Sequence, residues 1–175
     1  RALKAKGVQE FYEAAGYYLD LFDDAVFVHA GEPGDDDSNG VDQKELVAMQ
    51  RAGLHFIGFQ SDIYSLINAC AVVVLPSFYR EGVPRVLLEA AACGIHVICA
   101  DAPGTREAVI HNKTGFIVPI KNSQSICNAI EELLENKNRY VEMSKSARLF
   151  AESHFDINVI TQKQLDIYQS IGVVL

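Results

Sequence analysis

Five short apolar runs, separated by helix-length amphipathic stretches, constrain this chain more than any other feature. The runs are residues 25–30 (ending at Gly31), 54–58, 71–75 (closed by Pro76), 95–100 and 115–119. They are continuous rather than alternating, as expected of strands buried on both faces. Between them lie helix signals. Residues 8–22 carry Val8, Phe11, Tyr12, Ala15, Tyr18, Leu19 and Phe22 at a 3.6-residue rhythm. Residues 42–51 form a second helix, and Ser61-Asp62 caps a third that runs to Ala69. Pro84 stands where the first helical residue belongs, and Gly94 where the chain leaves that helix. Ser123 is positioned to cap residues 126–135, and two more helices fill residues 139–171. Strand and helix alternate through residue 119, and helices alone follow. The pattern predicts an α/β protein: a doubly wound parallel sheet over about residues 1–137 and a helical tail over about 138–175.

Composition narrows the function classes. The 175 residues, 49% hydrophobic and 22% charged, exclude disorder, collagen and coiled coil. A chain of this size buries about 70% of its unfolded surface, enough to fold without a disulfide or metal staple. The net charge is −8 with only 15 Lys and Arg, so the basic footprint of a nucleic-acid binder is missing. Any anionic ligand must be met by a few local groups. Cys70, Cys93, Cys99 and Cys127 form no C-x-x-C pair and read as reduced thiols of a cytosolic protein. The longest apolar run, residues 69–75, is far shorter than the roughly 20 residues of a membrane span. No charged-then-apolar leader opens the chain, and a start at Arg1 without Met is expected of a fragment.

Doubly wound sheets bind ligands beyond the carboxyl ends of their strands. Those ends are the loops near Gly31, Gly58, Ser77, Ala100 and Pro119. Asp35, Asp36 and Asp37 lack the ligand spacing of a calcium loop and read as a solvated acidic loop. Lys4-Ala-Lys6-Gly7 precedes a helix, where free N–H groups and the dipole favour an anion, but neither a Walker A nor a G-x-G-x-x-G pattern accompanies it. The informative stretch is residues 76–94, PSFYREGVPRVLLEAAACG. Glu89 lies among apolar neighbours inside its helix, where an ionised carboxylate needs a partner. Arg85, four residues back, is the ordinary one; a ligand in the crevice is the other. Glu81 sits just before the same helix. The pair is too far apart for a metal cage and suits hydrogen bonding to a polyol at two points. No histidine pair has zinc spacing, and the G-x-S-x-G nucleophile motif does not occur.

Glu81 and Glu89 form E-x7-E. With the preceding Pro76-Ser77 and the intervening Gly82-Val83-Pro84, the stretch resembles the signature of retaining glycosyltransferases of family 4, which have the GT-B fold. Arg1-Ala-Leu-Lys-Ala-Lys6-Gly7 is similar to the family's R-x4-K-G segment. Residues 54–59, Pro103-Gly-Thr-Arg-Glu107, residues 115–119 and the last helices follow in the family's order, so the resemblance covers nearly the whole chain. It is nearest to bacterial enzymes of capsular or lipid-linked polysaccharide assembly.

The resemblance implies a Rossmann-like, carboxyl-terminal, donor-binding half over residues 1–175, with the acceptor domain lying outside this chain. It also implies one more strand just before Arg1, central in the sheet. Arg1 and Lys6 would hold the diphosphate of a nucleotide sugar, Arg as a planar fork and Lys as a point charge. Two cations there make Mg²⁺ unnecessary, so no cofactor and no metal are expected. Glu89 would accept from ribose hydroxyls and Glu81 from hydroxyls of the sugar. The N–H groups of Gly82 and Val83, with Ser77, would add contacts to phosphate or sugar. Phe59 and Gln60 would flank the base. The implied reaction is transfer of a hexose or N-acetylhexosamine from a UDP-sugar to a sugar or lipid-linked acceptor, with Glu81, Arg1 and Lys6 as the catalytic set. This half alone would be inactive. A nucleotide-sugar epimerase of the same fold and a non-catalytic nucleotide-binding module are the alternatives. The implied location is cytoplasmic, peripheral at the inner face of the membrane, with membrane contact only indirect and no nucleic acid as partner.

Overall fold

A computed structural model describes residues 2–20, 25–33 and 39–172. Its strands are β1 (Phe27–His29), β2 (Leu54–Phe56), β3 (Val72–Leu75), β4 (His96–Ala100) and β5 (Phe116–Val118). Its helices are α1 (Val8–Leu19), α2 (Gln43–Arg51), α3 (Ile63–Asn68), α4 (Arg85–Ala92), α5 (Ser123–Glu135), α6 (Lys137–Phe155) and α7 (Ile157–Ser170). The five strands and seven helices match the α/β order read from the sequence, and every strand pairing is parallel.

The sheet comes in two pieces. β1 pairs with β2, from Phe27–Leu54 to His29–Phe56. β3, β4 and β5 form a second sheet in chain order. Among the described residues no ladder joins β1 to β3, although Phe27, Val72 and Val74 pack against one cluster around Ile98, Phe116 and Leu133. Helices cover both faces. α1 and α5 lie on one side with that cluster. α4 lies on the other, where Leu87 and Ala90 meet Val97 and Cys99.

Local chemistry sets the helix ends. Asp42 caps α2 in a capping box with Glu45, each side chain answering the other's backbone N–H at 2.8 and 3.0 Å. Asp62 caps α3, as expected. Pro84 is the N-cap of α4 rather than its first residue, because its ψ of 125° is extended and helical geometry begins at Arg85. α5 is capped by Asn122, whose Oδ1 accepts from Ser125 N at 2.9 Å, and not by Ser123. α6 begins two residues before the expected start, at Lys137 after the Asn136 cap. It is built into the domain: Ala147 and Ala151 pack on Ala91 of α4, and Met143 joins the cluster beneath α5. α7 buries no residue fully.

Gly7 welds the amino-terminal segment to the end of β3. Its φ is 77°, and a β-carbon there would lie 2.3 Å from the Pro76 carbonyl oxygen. Only glycine tolerates that approach in that conformation. Phe78 N and Tyr79 N then donate to the Ala5 carbonyl at 3.0 and 3.1 Å. The result is a shared floor under the loop that carries Glu81.

Candidate functional site

Glu81 lies in the loop between the carboxyl end of β3 and the start of α4, and Glu89 lies within α4 itself. Ser77 is fully buried. Its hydroxyl donates to the Ala5 carbonyl and accepts from Tyr79 N, both at 3.3 Å. With no surface to offer, Ser77 anchors the loop rather than contacting a ligand, which corrects the expectation from the sequence. The loop is braced from the other side by Gly104, with φ 98°, where a β-carbon would lie 2.4 Å from the Glu81 carbonyl oxygen. Thr105, also buried, holds that brace by donating to the Ala100 and sharing with the Ala102 carbonyls at 2.6 and 2.9 Å.

On this frame Glu81 forms an ion pair with Lys6, and the Lys6 ammonium also lies 5.5 Å from the centre of the Tyr79 ring. Both side chains are about three-quarters covered. The sequence assigned Lys6 and Glu81 to different parts of a ligand; the structure makes them one charge-paired unit. The N–H groups of Gly82 and Val83 have no protein acceptor among the described residues and precede α4, where the helix dipole adds positive potential. Arg1, the second cation expected here, lies outside the described residues, as do Asp35, Asp36 and Asp37.

Glu89 does pair with Arg85, at 3.3 Å. The two are unequally placed: the Arg85 side chain is 88% exposed and that of Glu89 only 17%. Glu89 also borders a cavity of about 240 Å³ between α3, α4 and the α6–α7 junction, with Tyr64 and Phe155 as its aromatic walls. The Phe59 ring is 74% exposed beyond β2, and its N–H donates to Glu32 Oε1 at 3.2 Å. Gln60 folds back on the Ile57 carbonyl at 2.6 Å. Gly31 N donates to Gly58 O at 2.8 Å, so Glu32 and the Phe59 loop form one unit at the ends of β1 and β2.

Glu32 and Gly104 were not singled out from the sequence. Glu32 sits in an acidic loop and carries no local signal. Gly104 lies in a Pro-Gly pair, which marks a turn but not the strand end it braces. Among the described residues no three His, Cys, Asp or Glu side chains converge as a metal site. Burial pushes the Cys99 thiol up to about 12, as fits an inert core thiol.

The family model for glycosyl transferases group 1 matches residues 1–150. The chain belongs to that family. Among curated relatives, this glycosyltransferase chain is 36% identical over 171 residues to the N,N'-diacetylbacillosaminyl-diphospho-undecaprenol alpha-1,3-N-acetylgalactosaminyltransferase of Campylobacter jejuni. The match covers 98% of this chain and 43% of that protein. It is 31% identical over 162 residues to the UDP-Gal:alpha-D-GlcNAc-diphosphoundecaprenol alpha-1,3-galactosyltransferase of Escherichia coli, covering 90% of this chain and 41% of that one. The crystal structure of Anabaena Alr3699/HepE in complex with UDP superimposes with a TM-score of 0.86 at 27% identity, covering 97% of this chain and 47% of that one. The chain thus spans less than half the length of these relatives. Its fold is that of the GT-B carboxyl-terminal half. The named relatives are transferases, and none favours the epimerase alternative.

Proposed function

We propose that this chain is the donor-binding half of a retaining glycosyltransferase that moves a hexose or N-acetylhexosamine from a UDP-sugar to a sugar or lipid-linked acceptor in polysaccharide assembly. The observation that carries the reading is the Lys6–Glu81 pair beside the open N–H groups of Gly82 and Val83, in the strand-end loop just before α4. Lys6 and the α4 terminus offset the charge that develops on a departing diphosphate. Glu81, held by Lys6, accepts from hydroxyls of the donor sugar and fixes its orientation. Glu89 accepts from the ribose diol, and the Phe59–Gln60 loop flanks the base. The UDP complex of the Anabaena structure and the diphospho-undecaprenol acceptors of the two curated relatives support the choice of donor and acceptor class. Among the described residues no helix is long and apolar enough to cross a membrane. The proposed place of work is the cytoplasmic face, by peripheral contact, in keeping with the lipid-linked acceptors named for the two curated relatives.

Calorimetry with UDP tests the reading. Glu89→Gln keeps shape and removes the charged acceptor, so it weakens binding by about 1.5–3 kcal/mol. Arg85→Ala removes only an exposed partner and changes affinity by less than about 0.5 kcal/mol. Equal losses would make Glu89 a mere partner of Arg85 and sink the ribose assignment. Catalysis by the whole enzyme is proposed to be metal-independent. Transfer activity abolished by EDTA and restored by Mn²⁺ or Mg²⁺ would overturn that part.

A further inference from the structure

Two lysines sit on two consecutive aromatic rings of the same loop. Lys6 lies over Tyr79 and is neutralised by Glu81. Lys121, just beyond the carboxyl end of β5, places its ammonium 4.8 Å from the centre of the Phe78 ring. That ring is its one side-chain partner among the described residues, and no carboxylate pairs with it. Lys121 is also one of two described non-glycine residues with positive φ, at 55°. A side chain in that region raises the backbone energy, and glycine would relieve it. The chain therefore keeps an uncompensated cation, in a strained backbone position, on the edge where ligands meet this fold. It does so although the net charge is −8.

The geometry points to Lys121 as a further phosphate-binding cation of this edge, beside Lys6, steadied by Phe78 and serving a diphosphate group of the substrates. The inference rests on the donor-binding reading above and adds a residue that the E-x7-E and R-x4-K-G motifs do not contain. An ammonium over an aromatic face keeps its N–H donors free toward solvent, which suits it to meet an anion arriving from the crevice. The diphosphate has two possible sources, the nucleotide sugar and a lipid-linked acceptor, and the same chemistry serves both.

The test is calorimetry at low salt on the full chain, because an exposed cation is screened as salt rises. The probes are UDP, uridine and geranyl diphosphate, and the variants are Lys121→Met, Lys121→Gly and Glu89→Gln. Both Lys121 variants are expected to weaken one diphosphate by about five-fold or more while uridine stays within about two-fold. Loss on UDP assigns Lys121 to the donor, and loss on geranyl diphosphate alone assigns it to the acceptor. Lys121→Gly is expected to melt no lower than the parent, which separates lost binding from lost folding. If Glu89→Gln weakens UDP while neither Lys121 variant moves either diphosphate, the Lys121 inference is overturned and the donor reading stands. If the parent chain binds no UDP, or Glu89→Gln leaves UDP unaffected, the donor reading falls and takes this inference with it.

Discussion

β4 and β3 lie side by side, are similarly apolar in sequence, and are buried very differently. All five residues of β4 are at most 1% exposed, whereas all four of β3 are only half-buried, and so are the three of β1. β4 has hydrogen-bonded neighbours on both edges and helices on both faces. β3 and β1 each have one edge that no described strand fills. Apolar sequence therefore fixes which residues can enter a parallel sheet, while burial depends on what covers each face and edge: β5 also has an open edge, yet Phe116 and Val118 are buried beneath α5. The smaller, open region is tied to the larger by the shared cluster around Ile98, the Gly7–Pro76 contact, the hydrogen bonds of Ser77, Phe78 and Tyr79 to the Ala5 carbonyl, and the Lys6–Glu81 pair.

Truncating a β-branched residue to alanine in each region gives the largest effect and the most direct test of that contrast. Ile98→Ala, in fully buried β4, is expected to lose about 2–5 kcal/mol, the range for core truncations. Val28→Ala, in half-buried β1, should lose about 1 kcal/mol because much of its surface is already wet. Denaturant unfolding at constant m-value reads both. Equal losses would show that β1 is as well packed as β4 and that the unfilled edge has no energetic consequence.

Gly7→Ala attacks the joint between the regions. The added carbon meets backbone at 2.3 Å in a left-handed conformation, so neither rotation nor a flexible neighbour relieves it. A loss of about 2 kcal/mol or more is expected, accompanied by weaker UDP binding because the floor of the Glu81 loop shifts. A parent-like melting temperature with unchanged affinity would remove Gly7 from the joint. In the sequence this glycine was legible only as the end of a basic segment before a helix. The contact with Pro76 spans 69 positions, and no local pattern encodes it. The same limit explains Ser77, which looked like a ligand contact and is spent on Ala5. Strand–helix order and the Arg85–Glu89 pair were readable because each is set by periodicity or near-neighbour spacing. The Lys6–Glu81 pair, the Glu32–Phe59 bond and the cation on Phe78 are set by tertiary placement, which those patterns do not reach.

His29 sharpens the comparison through pH. It stacks on Phe56 at 5.0 Å between ring centres, and its Nε2 is buried with no partner among the described residues. Burial pushes its pKa down from 6.5 to about 4. The folded state therefore holds the neutral ring, while the unfolded chain takes a proton below about 6.5. The stability from this site is full above pH 6.5. It falls as pH drops from 6.5 toward 4 and is flat below, with a total of about 2–3 kcal/mol. His96, fully buried at the start of β4, is shifted the same way by burial, so the two sheets both soften in acid. Unfolding free energy between pH 7 and 4 should have a smaller slope in His29→Gln than in the parent. An unchanged slope would show that His29 does not carry the acid sensitivity of the smaller sheet.

The smallest expected effect is on the link that crosses the regions at the site itself. Lys6 belongs to the segment bonded to the smaller sheet through Ala2 N–Glu32 O, and Glu81 to the loop after β3. Side-chain exposures of 26% and 25% place the pair between a surface bridge and a buried one. A surface pair contributes about 0–1 kcal/mol, and a buried pair is offset by the desolvation of both ions. A double-mutant cycle with Lys6→Met and Glu81→Gln is therefore expected to give a coupling of about 0.5–1 kcal/mol in unfolding free energy. The same Lys6→Met variant should lower UDP affinity by more than it lowers stability, because the diphosphate needs the ammonium that folding can nearly do without. A coupling near zero would leave the joint between the regions to the shared cluster, Gly7 and the Ala5 hydrogen bonds. A coupling above about 3 kcal/mol would mean that the pair is desolvated enough to be structural, and a lysine so firmly held by Glu81 could not turn to a departing diphosphate.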